Sequence, residues 1–147
     1  VKSIAAGTAT SESSDGMVVG TPLFAAPEWT LRDGRLDERS DIYSLGAVGY
    51  FLITGRPVFT HQSPVKLLFA HANEPVAPLR DFEPGVPDDV EKIILRCLAK
   101  RPEDRFASVE SLADALDGCR SAGTWTQPRA FHWWKGIDLS SLDITKD

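Results

Sequence analysis

The sequence predicts an all-α fold in which about five helices surround one buried central helix. The first observation is an apolar run from Ile42 to Ile53 in which only Ser44 is strongly polar. The second is that apolar residues recur at helical spacing in three later segments. The third is that proline and glycine residues divide these segments from one another, and no internal repeat is visible.

The central helix is predicted from its composition and its boundaries. A helix that is apolar all round is either a membrane span or the centre of a core. A span needs roughly 20 apolar residues, and Gly55 and Pro57 close this run earlier. We therefore expect a buried core helix, with Ser40 or Asp41 as its N-cap and Gly55 as its left-handed terminating residue.

Three amphipathic helices are predicted after the central helix. The first begins at Pro64 after an N-cap at Ser63, and the second begins at Pro87. The third follows an N-cap at Ser108 and ends at Gly118. The residues expected on their buried faces are, in chain order, Val65, Leu68, Phe69 and Ala72; Val90, Ile93, Ile94, Cys97 and Leu98; and Val109, Leu112, Ala113 and Leu116.

Composition limits the class of protein. With 147 residues, 42% of them apolar and 25% charged, the chain is expected to form one globular domain. A net charge of −5 without a basic stripe argues against a nucleic-acid partner. Cys97 and Cys119 are expected as reduced thiols of a cytoplasmic protein, with a disulfide as the alternative. No signal peptide or membrane segment is recognised, and the start at Val1 predicts a fragment.

Four motifs carry a resemblance that none of them carries alone. They are Gly20-Thr21-Pro22, Ala26-Pro27-Glu28, the run Ser40 to Gly46 followed by T-G-R-P-V-F, and Arg101 to Phe106. In this order and at these spacings they resemble the C-terminal lobe of a bacterial serine/threonine protein kinase, and A-P-E is one of the kinase signatures. The resemblance runs from Val1 to about Gly118.

The resemblance implies a division of the chain and a list of missing parts. Residues 1–19 would be an activation loop, 20–118 the C-lobe, and 119–147 an aromatic-rich extension. The sequence contains no Gly-rich loop, H-R-D loop or D-F-G motif, so the chain would begin just after D-F-G and contain no catalytic residue. ATP and Mg²⁺ would be the cofactors, held by the missing N-lobe and catalytic loop.

The site residues implied by the resemblance begin with Gly20, Thr21 and Pro22, which would form the P+1 loop that receives the residue following the phosphoacceptor. In the family the threonine hydroxyl reaches the catalytic aspartate and helps to distinguish serine and threonine from tyrosine. The alternative is that G-T-P is merely a turn. Phe24 stands where the family usually has tyrosine, which keeps the ring and removes a hydroxyl.

Two further assignments follow from the resemblance. Glu28 and Arg105 would form a buried ion pair that ties the activation segment to the base of the lobe. The alternative is a first-turn glutamate and an unrelated surface arginine. Asp41 would accept N–H groups of the missing catalytic loop, in addition to or instead of capping the central helix.

The N-terminal hydroxyl residues and the C-terminal aromatic residues each have two interpretations. The candidate phosphorylation sites are Thr8, Thr10, Ser11, Ser13 and Ser14. They occupy the region that is phosphorylated in relatives, or they are simply the side chains of a solvated loop. The segment 125–134 is expected to form a short helix that packs on the lobe, with a docking patch as the alternative.

Three functions compete on this sequence. The first is the C-terminal part of a serine/threonine kinase that phosphorylates protein substrates with ATP. The second is a non-catalytic pseudokinase or truncated lobe that binds partners through the helix at 63–73. The third, an unrelated helical interaction domain, leaves the kinase order of the four motifs unexplained.

Overall fold

The structure, a computed structural model, describes residues 22–30 and 36–136. Within these ranges every regular element is helical and no strand is formed, so the all-α prediction is confirmed. The α-helices are α1 (Glu38–Thr54), α2 (Pro64–Asn73), α3 (Asp88–Cys97), α4 (Val109–Asp117) and α5 (Gln127–Gly136). The 3-10 helices are Pro22–Phe24, Pro27–Thr30, Leu79–Asp81 and Pro102–Asp104.

The central helix α1 begins earlier than predicted. Its N-cap is Asp37, whose carboxylate accepts the backbone N–H of Arg39 at 2.9 Å, so the prediction of Ser40 or Asp41 as the cap was wrong. The prediction followed the start of the apolar run, whereas the helix extends one polar turn beyond it. The C-terminal prediction is confirmed, because Gly55 has φ 71° and its N–H bonds to the carbonyl of Phe51.

α1 lies between two groups of buried side chains. Tyr43, Ala47 and Tyr50 face the larger group. This group also contains residues of α2, and Ala26 from the connection between the first two 3-10 helices. Ile42 faces a smaller group that joins α1 to α3, α4 and Phe106. These contacts make α1 the shared centre of the packing, as the sequence predicted.

One side of α1 remains uncovered within the described residues. Leu45 is 52% exposed and Leu52 is 75% exposed, and Val48 and Phe51 are exposed beside them. α1 is therefore buried on its other sides only, and the exposed side agrees with the expectation that parts of a kinase that pack on this helix are missing from the chain. Most of the described elements pack against the other sides of the helix, and Phe24 and Val109 lie only at the edges of this one.

The buried face of α2 differs from the predicted one. Leu67, Ala70 and His71 are buried, whereas Val65 and Phe69 are exposed. Both sets follow helical spacing, but the prediction counted only apolar residue types and so passed over the set that contains a histidine. The prediction that this helix begins at Pro64 is confirmed. Its N-cap residue, Ser63, makes no capping hydrogen bond through its side chain.

The predictions for α3 and α4 had different outcomes. On α3 the buried positions Ile93, Ile94 and Cys97 are those predicted. On α4 the N-cap Ser108 forms a reciprocal capping box with Ser111, but Leu112 is the only buried residue. The remaining predicted face of α4, namely Val109, Ala113 and Leu116, is exposed. α4 lies at the margin of the α1–α3 pair and therefore buries a narrow strip.

α5 forms where a short helix was predicted, but it does not pack on the lobe. None of its residues is buried, so the packing expectation was wrong. Instead the aromatic rings of this segment contact one another. Between ring centroids, Trp133 lies 6.0 Å from Trp125, which precedes α5, and 5.0 Å from Trp134.

Cys97 and Cys119 are buried free thiols. None of the described helices has the length and apolar character needed to span a bilayer.

Candidate substrate-binding segment and its buried anchor

The segment that carries the A-P-E motif is a pair of short 3-10 helices joined by Ala25 and Ala26. Ala26 is fully buried, and the backbone N–H of Trp29 bonds to its carbonyl at 3.0 Å. Both 3-10 helices pack on α2, and the first also packs on α1, where the ring of Phe24 meets that of Phe51 edge-on. The backbone of this segment is thus held by two α-helices.

The predicted P+1 loop is only partly described. Pro22 begins the first 3-10 helix, whereas Gly20 and Thr21 lie outside the described residues. The candidate phosphorylation sites Thr8, Thr10, Ser11, Ser13 and Ser14 also lie outside them. The hydroxyl assignments therefore stay predictions.

Glu28 and Arg105 meet in a two-pronged contact. Nη1 of Arg105 donates to Oε1 of Glu28 at 2.7 Å, and Nη2 donates to Oε2 at 2.8 Å. The two residues are 5% and 2% exposed, respectively. This is the planar bidentate geometry for which arginine is better suited than lysine.

The remaining N–H groups of Arg105 all bond to backbone carbonyls. Nε donates to Ala99 at 2.8 Å, Nη1 to Arg39 at 2.8 Å, and Nη2 to Lys100 at 3.1 Å. All five donors of the guanidinium are therefore satisfied. Arg105 joins the A-P-E segment, the start of α1 and the connection after α3 in one buried contact.

The charge of Glu28 is stabilised within this contact. Burial acts to raise the pKa of the carboxyl group, but hydrogen bonds from Arg105 and from the hydroxyl of Ser40, at 2.7 Å, outweigh burial and lower the pKa. Glu28 is consequently ionised at neutral pH. Ser40, expected as a possible helix cap, serves this carboxylate instead.

A second buried polar cluster lies beside the ion pair, and the sequence analysis missed it. The ring of His71 is fully buried, and its Nδ1 lies 2.9 Å from the hydroxyl of Tyr43. Its backbone carbonyl accepts a hydrogen bond from Nζ of Lys100 at 2.8 Å, and the guanidinium of Arg105 lies over the Tyr43 ring at 4.9 Å. The sequence signal that could have indicated a buried His71 is its position four residues after Leu67 on an amphipathic helix.

Burial controls the protonation of this cluster. Burial, aided by the charge of Lys100, lowers the pKa of His71 to about 4. Burial also lowers the pKa of Lys100 to about 8 and raises the pKa of Tyr43. At neutral pH the cluster therefore holds a neutral imidazole, a protonated phenol and a mostly protonated amine.

Asp41 lies at the edge of a groove rather than at a helix cap. The groove has a volume of about 390 Å³ and follows the uncovered side of α1. Its other lining residues are Ile42, Ser44, Leu45, Val48 and Val109. Asp41 is exposed, and its carboxylate makes no hydrogen bond within residues 22–30 and 36–136.

The resemblance implies ATP and Mg²⁺ as cofactors, with their ligands outside this chain. No three carboxylate, imidazole or thiol groups come together in a way that could hold a metal ion in the described part of the chain.

Comparison with known proteins identifies the family. The model of the protein kinase domain matches residues 5–116. The chain is 44% identical over 101 residues to the serine/threonine-protein kinase Pkn1 of Myxococcus xanthus, covering 69% of this chain and 14% of that protein. It is 44% identical over 98 residues to the DNA damage-responsive serine/threonine-protein kinase RqkA of Deinococcus radiodurans, covering 67% and 14%.

A third relative, the serine/threonine-protein kinase PknB of Mycobacterium tuberculosis, is 37% identical over 107 residues, covering 72% of this chain and 17% of the relative. The chain belongs to the protein kinase domain family. It spans about a seventh of the length of the first two curated relatives. The matched residues include α1 to α3, all of α4 except its last residue, and both members of the buried ion pair, whereas α5 lies beyond them.

Proposed function

We propose that this chain is the C-terminal-lobe part of a serine/threonine protein kinase that transfers the γ-phosphate of ATP to serine and threonine hydroxyls of protein substrates. The observation that carries the proposal is the buried two-pronged contact between Glu28 and Arg105. It fixes the A-P-E segment against the lobe, and phosphoryl transfer depends mainly on positioning and charge stabilisation. The names of the relatives support the same activity.

In this proposal the P+1 loop at Gly20, Thr21 and Pro22 receives the substrate residue that follows the phosphoacceptor. This assignment is supported by the position of Pro22, whose 3-10 helix packs on α1 and α2. Residues 1–19 are assigned to the activation loop, 20–118 to the C-lobe and 119–147 to an aromatic-rich C-terminal extension. Phosphorylation of the loop hydroxyl residues would add charge that orders the loop.

The groove beside Asp41 receives the catalytic loop and neighbouring parts of the same kinase. Two observations support this assignment: the exposed apolar strip on α1, and a carboxylate without a hydrogen-bond partner among the described residues. A carboxylate at this position would accept backbone N–H groups of the incoming loop. The ligands of ATP and Mg²⁺ belong to those other parts.

The proposed location is the cytoplasm, where ATP and protein substrates are available. Buried, free Cys97 and Cys119 are compatible with a reducing compartment.

The test uses the intact kinase that carries this sequence. We expect transfer of radiolabel from ATP to peptides containing serine or threonine, and none to a matched peptide whose only hydroxyl is tyrosine. Thr21→Val should lower the rate and relax this selectivity, whereas Thr60→Val, at an exposed position between α1 and α2, should not. An intact protein that binds ATP–Mg²⁺ but transfers no phosphate would contradict the proposal.

A second candidate is a non-catalytic kinase-like module that binds partners through α2. Val65 is 71% exposed and Phe69 is 62% exposed on the same side of that helix, which favours this candidate. Phosphoryl transfer by the intact protein would exclude a purely non-catalytic role. Its absence, with substrate peptides still bound and Val65→Ser/Phe69→Ser weakening the binding, would establish the second candidate.

A further inference from the structure

The ring of His71 links the substrate-binding segment to the central helix. The side chain is fully buried, and its ring meets those of Tyr43 and Phe59 edge-on at centroid distances of 5.7 Å and 5.2 Å. α2, which carries it, packs against the 3-10 helix Pro22–Phe24. His71 therefore lies where α1, α2 and the 3-10 helix that begins at Pro22 come together.

The hydrogen bond to Tyr43 determines which ring nitrogen carries the proton. The hydroxyl of Tyr43 has no other acceptor among the described residues, so it donates to Nδ1 of His71 at 2.9 Å. The imidazole is neutral at physiological pH, because burial lowers its pKa to about 4. A neutral imidazole whose Nδ1 accepts must carry its hydrogen on Nε2.

The Nε2–H group is buried and has no hydrogen bond of full geometry among the described residues. Leu23 packs against the buried group that contains Tyr43 and Phe59, the two ring neighbours of His71. A hydrogen-bonding contribution from its backbone partly opposes the lowering of the pKa of His71. Between the two backbone groups of Leu23, the hydrogen-bond acceptor is the one that raises the pKa of a histidine. The group that faces the ring is therefore the carbonyl of Leu23. A buried donor without an acceptor is unfavourable, so the Nε2–H group of His71 and this carbonyl are expected to bond.

We propose that His71 is a positioning residue that holds the P+1 loop for the protein substrate by donating from Nε2 to the carbonyl of Leu23. Leu23 directly follows Pro22, so this contact fixes the C-terminal end of the loop. The Glu28–Arg105 pair holds the segment five residues further along the chain. The inference rests on the proposed function, because it assigns the loop to substrate binding. His71 itself touches neither substrate nor cofactor.

Two substitutions separate the two ring nitrogens. In His71→Asn the amide group lies near the place of Nδ1, so the contact with Tyr43 is kept and the donor to Leu23 is lost. In His71→Gln the amide reaches the place of Nε2, so the donor to Leu23 is kept and the contact with Tyr43 is lost. Tyr43→Phe is the matched control, because it removes the Nδ1 contact and leaves the ring in place.

The first measurement is hydrogen–deuterium exchange of the chain at residues 23–26. His71→Asn should increase exchange there about tenfold, the equivalent of one lost hydrogen bond. His71→Gln and Tyr43→Phe should leave it near the parental rate, although all three variants lose some global stability. Equal exchange in His71→Asn and His71→Gln would overturn the proposal.

The second measurement is steady-state kinetics of the intact kinase. His71→Asn should raise the KM for a peptide substrate several-fold without changing the KM for ATP, and His71→Gln should restore the peptide KM. A purely structural role would lower activity in both variants alike and would overturn the proposal. If the parental kinase transfers no phosphate, the proposed function fails, while the exchange measurement still decides the contact.

A third measurement needs no substitution and applies even if the variants do not fold. In the ¹⁵N-histidine-labelled chain, the two ring nitrogens differ in chemical shift and in coupling. We expect His71 as the neutral tautomer with hydrogen on Nε2. The opposite tautomer, or a charged ring at pH 7, would overturn the proposal.

Discussion

Arg105 donates one hydrogen bond to each carboxylate oxygen of Glu28, across a separation of 77 positions in the sequence. No local helix or turn chemistry brings the two side chains together. Both are almost completely buried, and the guanidinium has no donor left over. The pair therefore reports on the tertiary arrangement of the whole lobe.

The first prediction concerns this pair. Arg105→Ala and Glu28→Ala should each lower the free energy of unfolding by about 3–5 kcal/mol, because each leaves a buried charge without its partner. The double variant should lose much less than the sum of the two. Urea unfolding followed by circular dichroism measures all three values. Additive losses would show that the two side chains do not interact.

A charge-conserving variant and a surface pair provide the controls. Arg105→Lys should recover only part of the stability, because an ammonium group cannot make two parallel bonds to one carboxylate. Arg101 pairs with Glu103 at the surface, where both side chains are exposed. Arg101→Ala should change the free energy of unfolding by less than about 1 kcal/mol.

The contact of this pair could be anticipated from the sequence, because the A-P-E and R-P-E-D-R-F motifs carry a family resemblance that specifies a distant contact. Helix boundaries marked by special residues were also predictable: Gly55 supplies the left-handed residue and Ser108 the capping hydroxyl. These features depend on the chemistry of one or two residues. They can therefore be recognised in the sequence without knowing which elements pack nearby.

The faces of α2 and α4 could not be predicted, because helical spacing fits more than one set of positions. On α2, Val65 and Phe69 satisfy the pattern and yet are exposed, since the neighbouring 3-10 helices cover the side that carries Leu67 and His71. Which face is buried depends on where other elements pack. A buried histidine is a further difficulty, because its partner Tyr43 lies 28 positions away.

The second prediction concerns the close approach of α1 and α3. A Cβ atom at Gly46 would lie 2.5 Å from the Cβ of Cys97, which is fixed to the backbone of α3. Gly46→Ala should therefore push the two helices apart and destabilise the chain by about 1–3 kcal/mol, even though alanine favours helix by roughly 1 kcal/mol. Thermal unfolding measures the loss.

Gly49→Ala is the matched comparison for this prediction. Its Cβ would lie 2.7 Å from Cδ1 of Ile94, the flexible end of a side chain that can move to another rotamer. The loss should therefore be smaller than for Gly46→Ala. A stabilised Gly46→Ala variant would show that α1 and α3 do not pack this closely.

The third prediction concerns acid. The pKa of His71 is about 4 in the folded chain and 6.5 in its unperturbed state, so the unfolded chain binds more protons between these values. Stability should be fully present above pH 6.5 and fall as the pH decreases towards 4, by up to roughly 3 kcal/mol. The lowered pKa of Glu28 adds a separate loss below pH 4.5. Urea unfolding at a series of pH values measures both.

Substitution distinguishes the two acid-sensitive groups. His71→Gln should flatten the profile between pH 6.5 and 4.5 and leave the steeper loss at lower pH. Tyr43→Phe should lower stability at every pH while keeping the slope that His71 produces. A His71→Gln profile parallel to that of the parental chain would contradict the assignment.

The fourth prediction concerns the uncovered side of α1. Leu45 and Leu52 are seven residues apart, lie on one side of the helix and are 52% and 75% exposed. In the chain alone this strip should bind a hydrophobic dye and promote association, because exposed apolar patches favour both. Leu45→Gln/Leu52→Gln should reduce dye fluorescence and association without lowering the free energy of unfolding. Dye binding and light scattering at several concentrations measure these effects.

The same double variant should behave in the opposite way in the intact kinase, where the proposed function places other parts of the protein over this strip. Two buried glutamines would then lower the stability by a few kcal/mol, since each amide loses its hydrogen bonds to water. Val65→Gln/Phe69→Gln on α2 is the control, since no element of the proposal covers that side. If the Leu45→Gln/Leu52→Gln variant is as stable as the parental kinase, the strip is not an internal surface, and the groove beside Asp41 does not receive the catalytic loop.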